Sequence, residues 1–549
     1  MMVNALGILK KSLEEIVIKL GFKVEGDDFI VLEEPRDRNH GDYATNIAMR
    51  LSKLAKTNPR QLANQIVELI DKKALHLSNV EVAGAGFINF TFDENYLIQV
   101  VNEVLNLKDN YGNIDIGQRK RINLEFVSAN PTGYLHIGHG RGAAYGDSLA
   151  NVLTKAGYLV DREHYVNDAG NQITNLAYSI EARYRELLGH DFKMKEGYYY
   201  GKEIILIASK LIEEFGEEFL TGDHHLFFKR YGCDALLKNL KQDLARFNVR
   251  FDTWFSELSL YESNEVERVL ELLTQKGYVY ELDGALWLRT TDFQDEKDRV
   301  IVKSDGSYTY LLPDIAYHAN KLSRGYEYLI DVLGADHHGY IERLKAAVSM
   351  VGGNSDLIDI EILQMVRVIE NGVEVKMSKR SGKAITLIDL IDQVGTDALR
   401  YFYVSKSLST HMDLDLDLMT KKSNENPVFY AQYAHARIES LFKNLSKNNL
   451  VYQASHNFTK IDKTKVKKMA LILLKYPFVI EEAASKRLVH KITHYIDELA
   501  SAFHSYYNDE KIITDDLVET MEKLTVLEAV QIVLRNALTL IGINAPLQM

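Results

Sequence analysis

One cysteine and seven prolines occur in 549 residues, and each scarcity excludes something. Cys233 alone can form no intrachain disulfide and no cysteine-rich zinc knuckle, and it fits a reducing cytoplasm. Few prolines beside a hydrophobic content of 46% argue against long disordered linkers and for a helix-rich chain. The length suggests about three or four domains. No apolar stretch reaches the ~18 residues that a transmembrane helix needs. The N-terminal run MMVNALGILKKSLEEIVIKLG alternates apolar and charged residues at helical spacing, so neither a signal peptide nor a membrane span is expected there. A soluble, cytoplasmic protein with no membrane partner is the expectation. Positive charge is also short: 65 Lys and Arg face 77 Asp and Glu, a formal −12, so a nucleic acid would have to be met by local basic patches. There is no internal repeat and no low-complexity segment. The adjacent pairs His224-His225 and His337-His338 imply no metal site, because chain neighbours rarely face one ion, and no zinc is expected.

What is present begins with His136-Ile137-Gly138-His139, inside the run LEFVSANPTGYLHIGHGRGAA. The context reads as a strand from Arg121 to Val127, a turn at Pro131 and Gly133, and a helix opening near Gly138. That arrangement aims backbone N–H groups and the positive end of a helix at phosphate. Two imidazoles there can donate to a phosphate oxygen whose charge grows in the transition state. Glycines at 138, 140 and 142 remove side chains where a nucleotide would approach the backbone. From His136 it is 240 residues to Lys376, which opens Lys376-Met377-Ser378-Lys379-Arg380. Its two lysines suit the β and γ phosphates, where charge accumulates as pyrophosphate leaves. Alone, the first motif reads as a buried histidine and the second as a solvated basic turn; in this order and at domain-scale separation they point together to adenylate chemistry.

Organisation follows from periodicity. Residues 1–110 alternate helical patterns with short strands and end in a polar stretch from Asn106 to Gly112. Their Asn, Tyr and Phe residues suit either base stacking or, more commonly, a core. Residues 111–370 alternate strand-like runs (Ile122 to Val127, Tyr328 to Leu333) with helices, which predicts a parallel sheet wound by helices. An insertion interrupts it at about 166–307 and includes the strand-like YELDGALWLRTT. A connecting segment spans 371–410. From about 411 to 549 the pattern is nearly all helical, with Asn426-Pro427 opening a long helix and Pro477 marking a break or a new start.

The two motifs resemble the paired signatures of class I aminoacyl-tRNA synthetases, with Arg380 where that pattern most often has Ser. Further strings narrow the resemblance to the arginyl-tRNA synthetases over the whole chain. They are HGDYATN and GAGFINF near the start, EFVSANPTG before the histidines, YVNDAGNQ at 165–172, KSDGSYTYLLPDIAYH at 303–318, GTDALRYFYVS at 395–405, NPVFYAQYAHARI at 426–438, FHSYYND at 503–509 and the closing GINAP. Asp397-Ala398-Leu399-Arg400 is the string after which that family's anticodon-binding domain is named. Some members lack the second lysine of the lysine motif; this chain keeps Lys379.

The resemblance implies an α/β fold: a class I Rossmann-like catalytic domain carrying an insertion, an α+β N-terminal appended domain, and an all-α C-terminal anticodon-binding bundle. It implies catalytic roles for His136, His139, Lys376 and Lys379, and ATP contacts from Gly138, His139, Gly140, Lys376, Met377, Ser378 and Lys379. A guanidinium is planar, permanently charged and carries five donors, so its pocket needs carboxylates. By resemblance these are Glu125 and Asp314, with Tyr310 closing one side. Asn130 and His136 are placed for the α-amino and α-carboxylate end, and His338 or His337 lines the pocket. Tyr430, Tyr433, His435 and Arg437 are expected to contact tRNA. The implied activity is ATP-dependent ligation of L-arginine to tRNA(Arg), with Mg2+ accompanying ATP, by a monomer. The alternatives are a glutamyl or glutaminyl enzyme, a small-molecule nucleotidyltransferase of the HxGH kind, and a non-catalytic tRNA-binding relative.

Overall fold

The computed structural model describes residues 4–549 apart from 25, 27, 28, 36, 38, 39, 191–193, 294, 376–384, 448 and 449, and describes only the backbone of 336–338. The chain forms two compact units, one of Met1–Ile114 with Pro427–Leu540 and Asn544–Met549, the other of Asp115–Asn426 with Ile541–Ile543.

The first unit opens with α1 (Ala5–Lys19), whose Leu6, Leu9, Leu13, Ile16 and Val17 recur at three- and four-residue spacing and are buried. The strands β1 (Tyr43–Thr45), β2 (Leu77–Ala83) and β3 (Phe87–Phe92) make an antiparallel sheet in the order β1-β3-β2. Helices α2 (Ile47–Ala55) and α3 (Pro59–Glu68) precede β2, and α4 (Glu94–Leu107) follows β3. Tyr43, Asn89, Phe90 and Phe92 are buried, so these residues are core and not a base-stacking surface.

The second unit is built on β4 (Arg121–Glu125), followed by α5 (Ile137–Lys155), β5 (Leu159–Val166), the helices α6 (Gly170–Leu187), α7 (Lys202–Phe215) and α8 (His225–Arg246), and β6 (Thr253–Ser256). After α9 (Leu258–Glu262) and α10 (Glu265–Gln275), an antiparallel sheet is formed by β7 (Val279–Leu282), β8 (Ala285–Leu288) and β9 (Arg299–Val302). Its first turn is Asp283-Gly284, both at positive φ, as a two-residue hairpin requires. Then come α11 (Leu311–Ser323), β10 (Tyr328–Gly334), α12 (Ile341–Met350) and β11 (Ile358–Leu363). The central sheet runs β11-β10-β4-β5-β6, all parallel. The span expected as an insertion therefore returns to the sheet: β6 pairs with β5 as an edge strand, a four-residue segment too short to announce itself between helical patterns.

The unit closes with β12 (Val366–Glu370), β13 (Val373–Glu374), α13 (Leu387–Val394), α14 (Thr396–Val404), β14 (Met412–Asp415) and α15 (Leu416–Thr420). Strand β14 pairs in parallel with β12, so the stretch from 411 belongs here, and the helical part begins at Pro427. Arg400, in the Asp-Ala-Leu-Arg string of α14, is fully buried and donates to the carbonyls of Phe247, Asn248 and Ile541 and to Asp147 Oδ2 at 2.7–3.1 Å. Gly542 is at φ +69°, and a Cβ there would lie 2.3 Å from the guanidinium, which accounts for glycine in the closing GINAP. Arg400→Ala would leave the buried Asp147 to Arg162, 3.7 Å away, and orphan carbonyl acceptors; a loss of about 3 kcal/mol in urea unfolding of the whole chain is expected. A change under about 0.5 kcal/mol, the level of an ordinary surface substitution, would show that the network contributes little.

The first unit resumes with α16 (Pro427–Lys447), α17 (Lys463–Ser485), α18 (His490–Asp509) and α19 (Leu517–Leu540). Pro477 does not break the chain but lies within α17. A proline there leaves the carbonyl four residues back without its helical donor, and the buried Tyr111 hydroxyl supplies one, 2.8 Å from the Leu473 oxygen.

Candidate active site

The site forms where β4 ends. Val127 and Ser128 adopt positive φ of 69° and 39°, a costly conformation, most of all for a β-branched residue. The kink brings Ser128 Oγ to donate to Glu125 Oε1 at 2.8 Å and to accept the Tyr165 N–H at 3.2 Å. The chain then leads to His136, the N-cap of α5. His136 Nδ1 accepts the Gly138 N–H at 3.1 Å, and His139 Nδ1 accepts the His136 N–H at 3.3 Å. This is a capping box made of imidazoles, with the rings stacked at 3.7 Å. An imidazole whose Nδ1 accepts a backbone proton carries its own proton on Nε2. The helix start thus fixes both rings in the tautomer with an Nε2–H donor.

Glycine at 140 answers a different need from the one expected. A Cβ there would lie 2.8 Å from Leu387 and 2.9 Å from the Tyr403 hydroxyl, so the space belongs to α13 and α14 and not to a nucleotide. A Cβ at Gly138 would meet the His136 ring at 3.1 Å, and one at Gly142 would meet Leu363 at an ordinary 3.6 Å.

Carboxylates gather beyond the strand ends. Tyr165, at the end of β5, has its hydroxyl pKa raised by burial and then by Glu257, Asp314 and Glu125. Glu125 is 6% exposed and is met by Lys321 Nζ at 2.5 Å. Asp314, near the start of α11, accepts from the Tyr340 hydroxyl. Glu257, just past β6, was not foreseen; its pKa is pushed up to about 7, by burial first and then by Asp314. Its only sequence signal is a glutamate after a short aromatic strand. Asn130 donates to Gln172 Oε1 at 2.6 Å, and Tyr310 is 71% exposed. The side chains of His337 and His338 lie outside the described residues.

Lys376, Met377, Ser378 and Lys379 also lie outside the described residues. The chain that follows them is tied to the histidines: Leu387 N–H donates to the Leu135 carbonyl at 2.8 Å, and Thr386 forms a β-bridge with His136. On α16 of the other unit, the Tyr430 ring lies tilted against His504 with centroids 4.2 Å apart, and the Arg437 guanidinium lies over Tyr433 and Tyr507. His435 differs. It is 1% exposed, and Nδ1–H donates to the Pro546 carbonyl at 2.9 Å, so it faces the bundle interior and presents no ring for stacking.

Residues 7–92 match the family described as the arginyl tRNA synthetase N terminal domain. Residues 100–442 match the class I (R) tRNA synthetase catalytic domain, and 431–549 match the DALR anticodon binding domain. An arginine–tRNA ligase of Bacillus licheniformis is 49% identical over 547 residues, covering 99% of this chain and 98% of the relative. That of Bacillus subtilis is also 49% identical with the same coverage. The chain belongs to the arginyl-tRNA synthetases. An arginyl-tRNA synthetase structure from Thermus thermophilus, 19% identical, shares the fold over the full length of both chains with a TM-score of 0.79. Because the N-terminal and catalytic matches are both specific to arginine, the glutamyl or glutaminyl and nucleotidyltransferase alternatives are set aside. The literal Asp-Ala-Leu-Arg string of this synthetase, at 397–400, precedes the matched anticodon-binding region and serves the catalytic unit.

Proposed function

We infer that the chain is an arginine–tRNA ligase, in which arginine and ATP condense to arginyl-adenylate and pyrophosphate before the acyl group passes to the terminal adenosine of tRNA(Arg). The observation that carries this is the class I (R) match across 100–442, the span that holds both the imidazole capping box and the carboxylates around Tyr165. His136 and His139 donate from Nε2 to phosphate oxygens as negative charge develops, at the positive end of α5. Lys376 and Lys379, with Met377 and Ser378 between them, take the leaving pyrophosphate. Gly138 and the backbone at Gly140 border the ATP. Magnesium bound with ATP would offset the charge of its phosphates. Among the described residues no group of three or more His, Cys, Asp or Glu forms a metal cage.

Asp314, Glu257 and Glu125 meet the cationic substrate, with Tyr310 at the rim, His338 or His337 on the wall, and Asn130 with His136 toward the α-amino and carboxylate end. Tyr430, Tyr433 and Arg437 offer stacking faces for tRNA bases; His435 supports them from within. No described helix is long and apolar enough to cross a membrane. The enzyme acts as a cytoplasmic monomer.

Glu257 gives a pH signature. With its pKa near 7 it is partly protonated at neutrality, and an arriving cation favours the ionised form, so arginine binding releases a proton. The arginine KM should fall as pH rises through about 7, by up to roughly tenfold per unit on the acid side, and Glu257→Gln should flatten that dependence. A folded-state pKa above the unfolded value of a carboxyl also means that this group's stability contribution shrinks as pH rises from about 4.5 to 7. An arginine KM independent of pH in the wild type would remove Glu257 from the site.

Arginine-dependent ATP–pyrophosphate exchange tests the first step. By family resemblance, exchange should require bound tRNA, the two sites sharing a coupling free energy. Exchange with arginine in the presence of tRNA supports the reading. No exchange under either condition contradicts it, and full exchange in RNA-free enzyme removes only the tRNA requirement.

A further inference from the structure

Below the strand ends, a closed set of buried charges joins two neighbouring strands. Glu125 of β4 and Asp331 of β10 are register partners. Lys321 of α11 reaches between them, its Nζ 2.5 Å from Glu125 Oε2 and 2.7 Å from Asp331 Oδ1, with none of its side chain exposed. The ammonium also lies 4.4 Å from the centroid of the Tyr317 ring. Asp331 meets His318 Nε2 at 2.8 Å, and His318 Nδ1 is 2.7 Å from the carbonyl of Asp314. Glu163 of β5, the other nearby carboxylate, has its own partners in Arg324 and Tyr317 at 2.5–2.8 Å and in Asn123 at 2.9 Å. On the remaining sides Glu125 faces Ser128, which donates to it, and Tyr165.

We propose that Lys321 is a positioning residue for arginine activation, keeping the Glu125 carboxylate anionic and fixed for the substrate by separating it from Asp331. The proposal rests on the reading that Glu125 meets the substrate. Two desolvated carboxylates in register with no cation between them cannot both stay charged, so one takes up a proton. Asp331 keeps His318, which leaves Glu125 as the group that is neutralised. A protonated Glu125 is a poor partner for a cationic amino acid. The burial of Lys321 fits this role: a fully enclosed ammonium persists only when its partners compensate the lost hydration, and here burial is outweighed by Asp331, Glu125 and Glu163, which hold its pKa above the ordinary lysine value.

The test is a charge-balance cycle in the full-length enzyme. Lys321→Met should lower kcat/KM for arginine about a hundredfold, the scale of a buried pair broken on one side. The loss should fall on arginine KM, with ATP KM moving less than about threefold, and the acid limb of the pH profile should shift upward. Adding Asp331→Asn removes the competing carboxylate. It should restore at least about tenfold and move the limb back, which no simple loss of packing would do. Thermal melts establish that both variants fold. A folded double variant without rescue, or a Lys321→Met variant whose ATP KM rises as much as its arginine KM, overturns the proposal. Glu125→Gln separates the two levels: an unchanged arginine KM there refutes the substrate role of Glu125 itself, whereas a raised KM without rescue in the cycle refutes only the role of Lys321.

Discussion

Replacing His139 or His136 by alanine is expected to slow adenylate formation by roughly 10² to 10³, the effect of removing one preorganised transition-state donor. The expectation rests on a specific geometry. Each Nδ1 is occupied by a backbone N–H at the start of α5, so each ring is oriented and its tautomer set before ATP arrives. Orientation paid in advance by the fold is what makes such a donor effective. His136 has a second duty as the N-cap, and its loss should cost about 1 kcal/mol of stability. His136→Asn separates the two, since asparagine caps well but carries no Nε2–H: its melting temperature should match the wild type while its rate falls. Single-turnover rates within threefold of wild type in both alanine variants would remove the histidines from the chemistry.

Arginine should be preferred to citrulline by a large factor. Citrulline keeps the shape of the side chain but replaces its cation with a neutral urea group. The site gathers Glu257, Asp314 and Glu125 around Tyr165. The Lys321 ammonium is already shared between Glu125 and Asp331, and Asp314 beside Glu257 adds to the burial that raises the Glu257 pKa. A neutral ligand would forgo the charge-assisted pairing that the guanidinium makes with these buried carboxylates, a difference of about 2 to 5 kcal/mol, or some thirtyfold to several-thousandfold in kcat/KM. Lysine should fail for another reason: its ammonium is compact and cannot span separated carboxylates as a planar fork does. Similar kcat/KM values for arginine and citrulline would show that the carboxylates do not read the guanidinium.

The histidine motif was legible because its elements are local: a strand, a turn and a helix start fall within about twenty residues, and periodicity places each. The alternation of strands and helices likewise revealed the parallel sheet. Features set by distant partners were not legible. Pro477 reads as a helix breaker until the Tyr111 hydroxyl is seen to satisfy the carbonyl that it orphans. Gly140 reads as a gap for a ligand until Leu387 and Tyr403 fill it. Strands β6 and β14 have four residues each, too few to show alternation against helical flanks. His435 looked like a stacking residue because exposure cannot be told from helical spacing when neighbours on the same helix, such as Tyr433 and Arg437, remain partly exposed. Glu257 escaped notice because nothing adjacent in sequence raises its pKa; burial and Asp314, which comes from α11, do.

The most direct measurement is aminoacylation of total tRNA by the purified enzyme with ATP and each of the twenty amino acids in turn. Arginine alone should be charged, at a level set by the tRNA(Arg) fraction. Charging with glutamate or glutamine, or none with any amino acid under conditions where the protein is folded, would contradict the assignment.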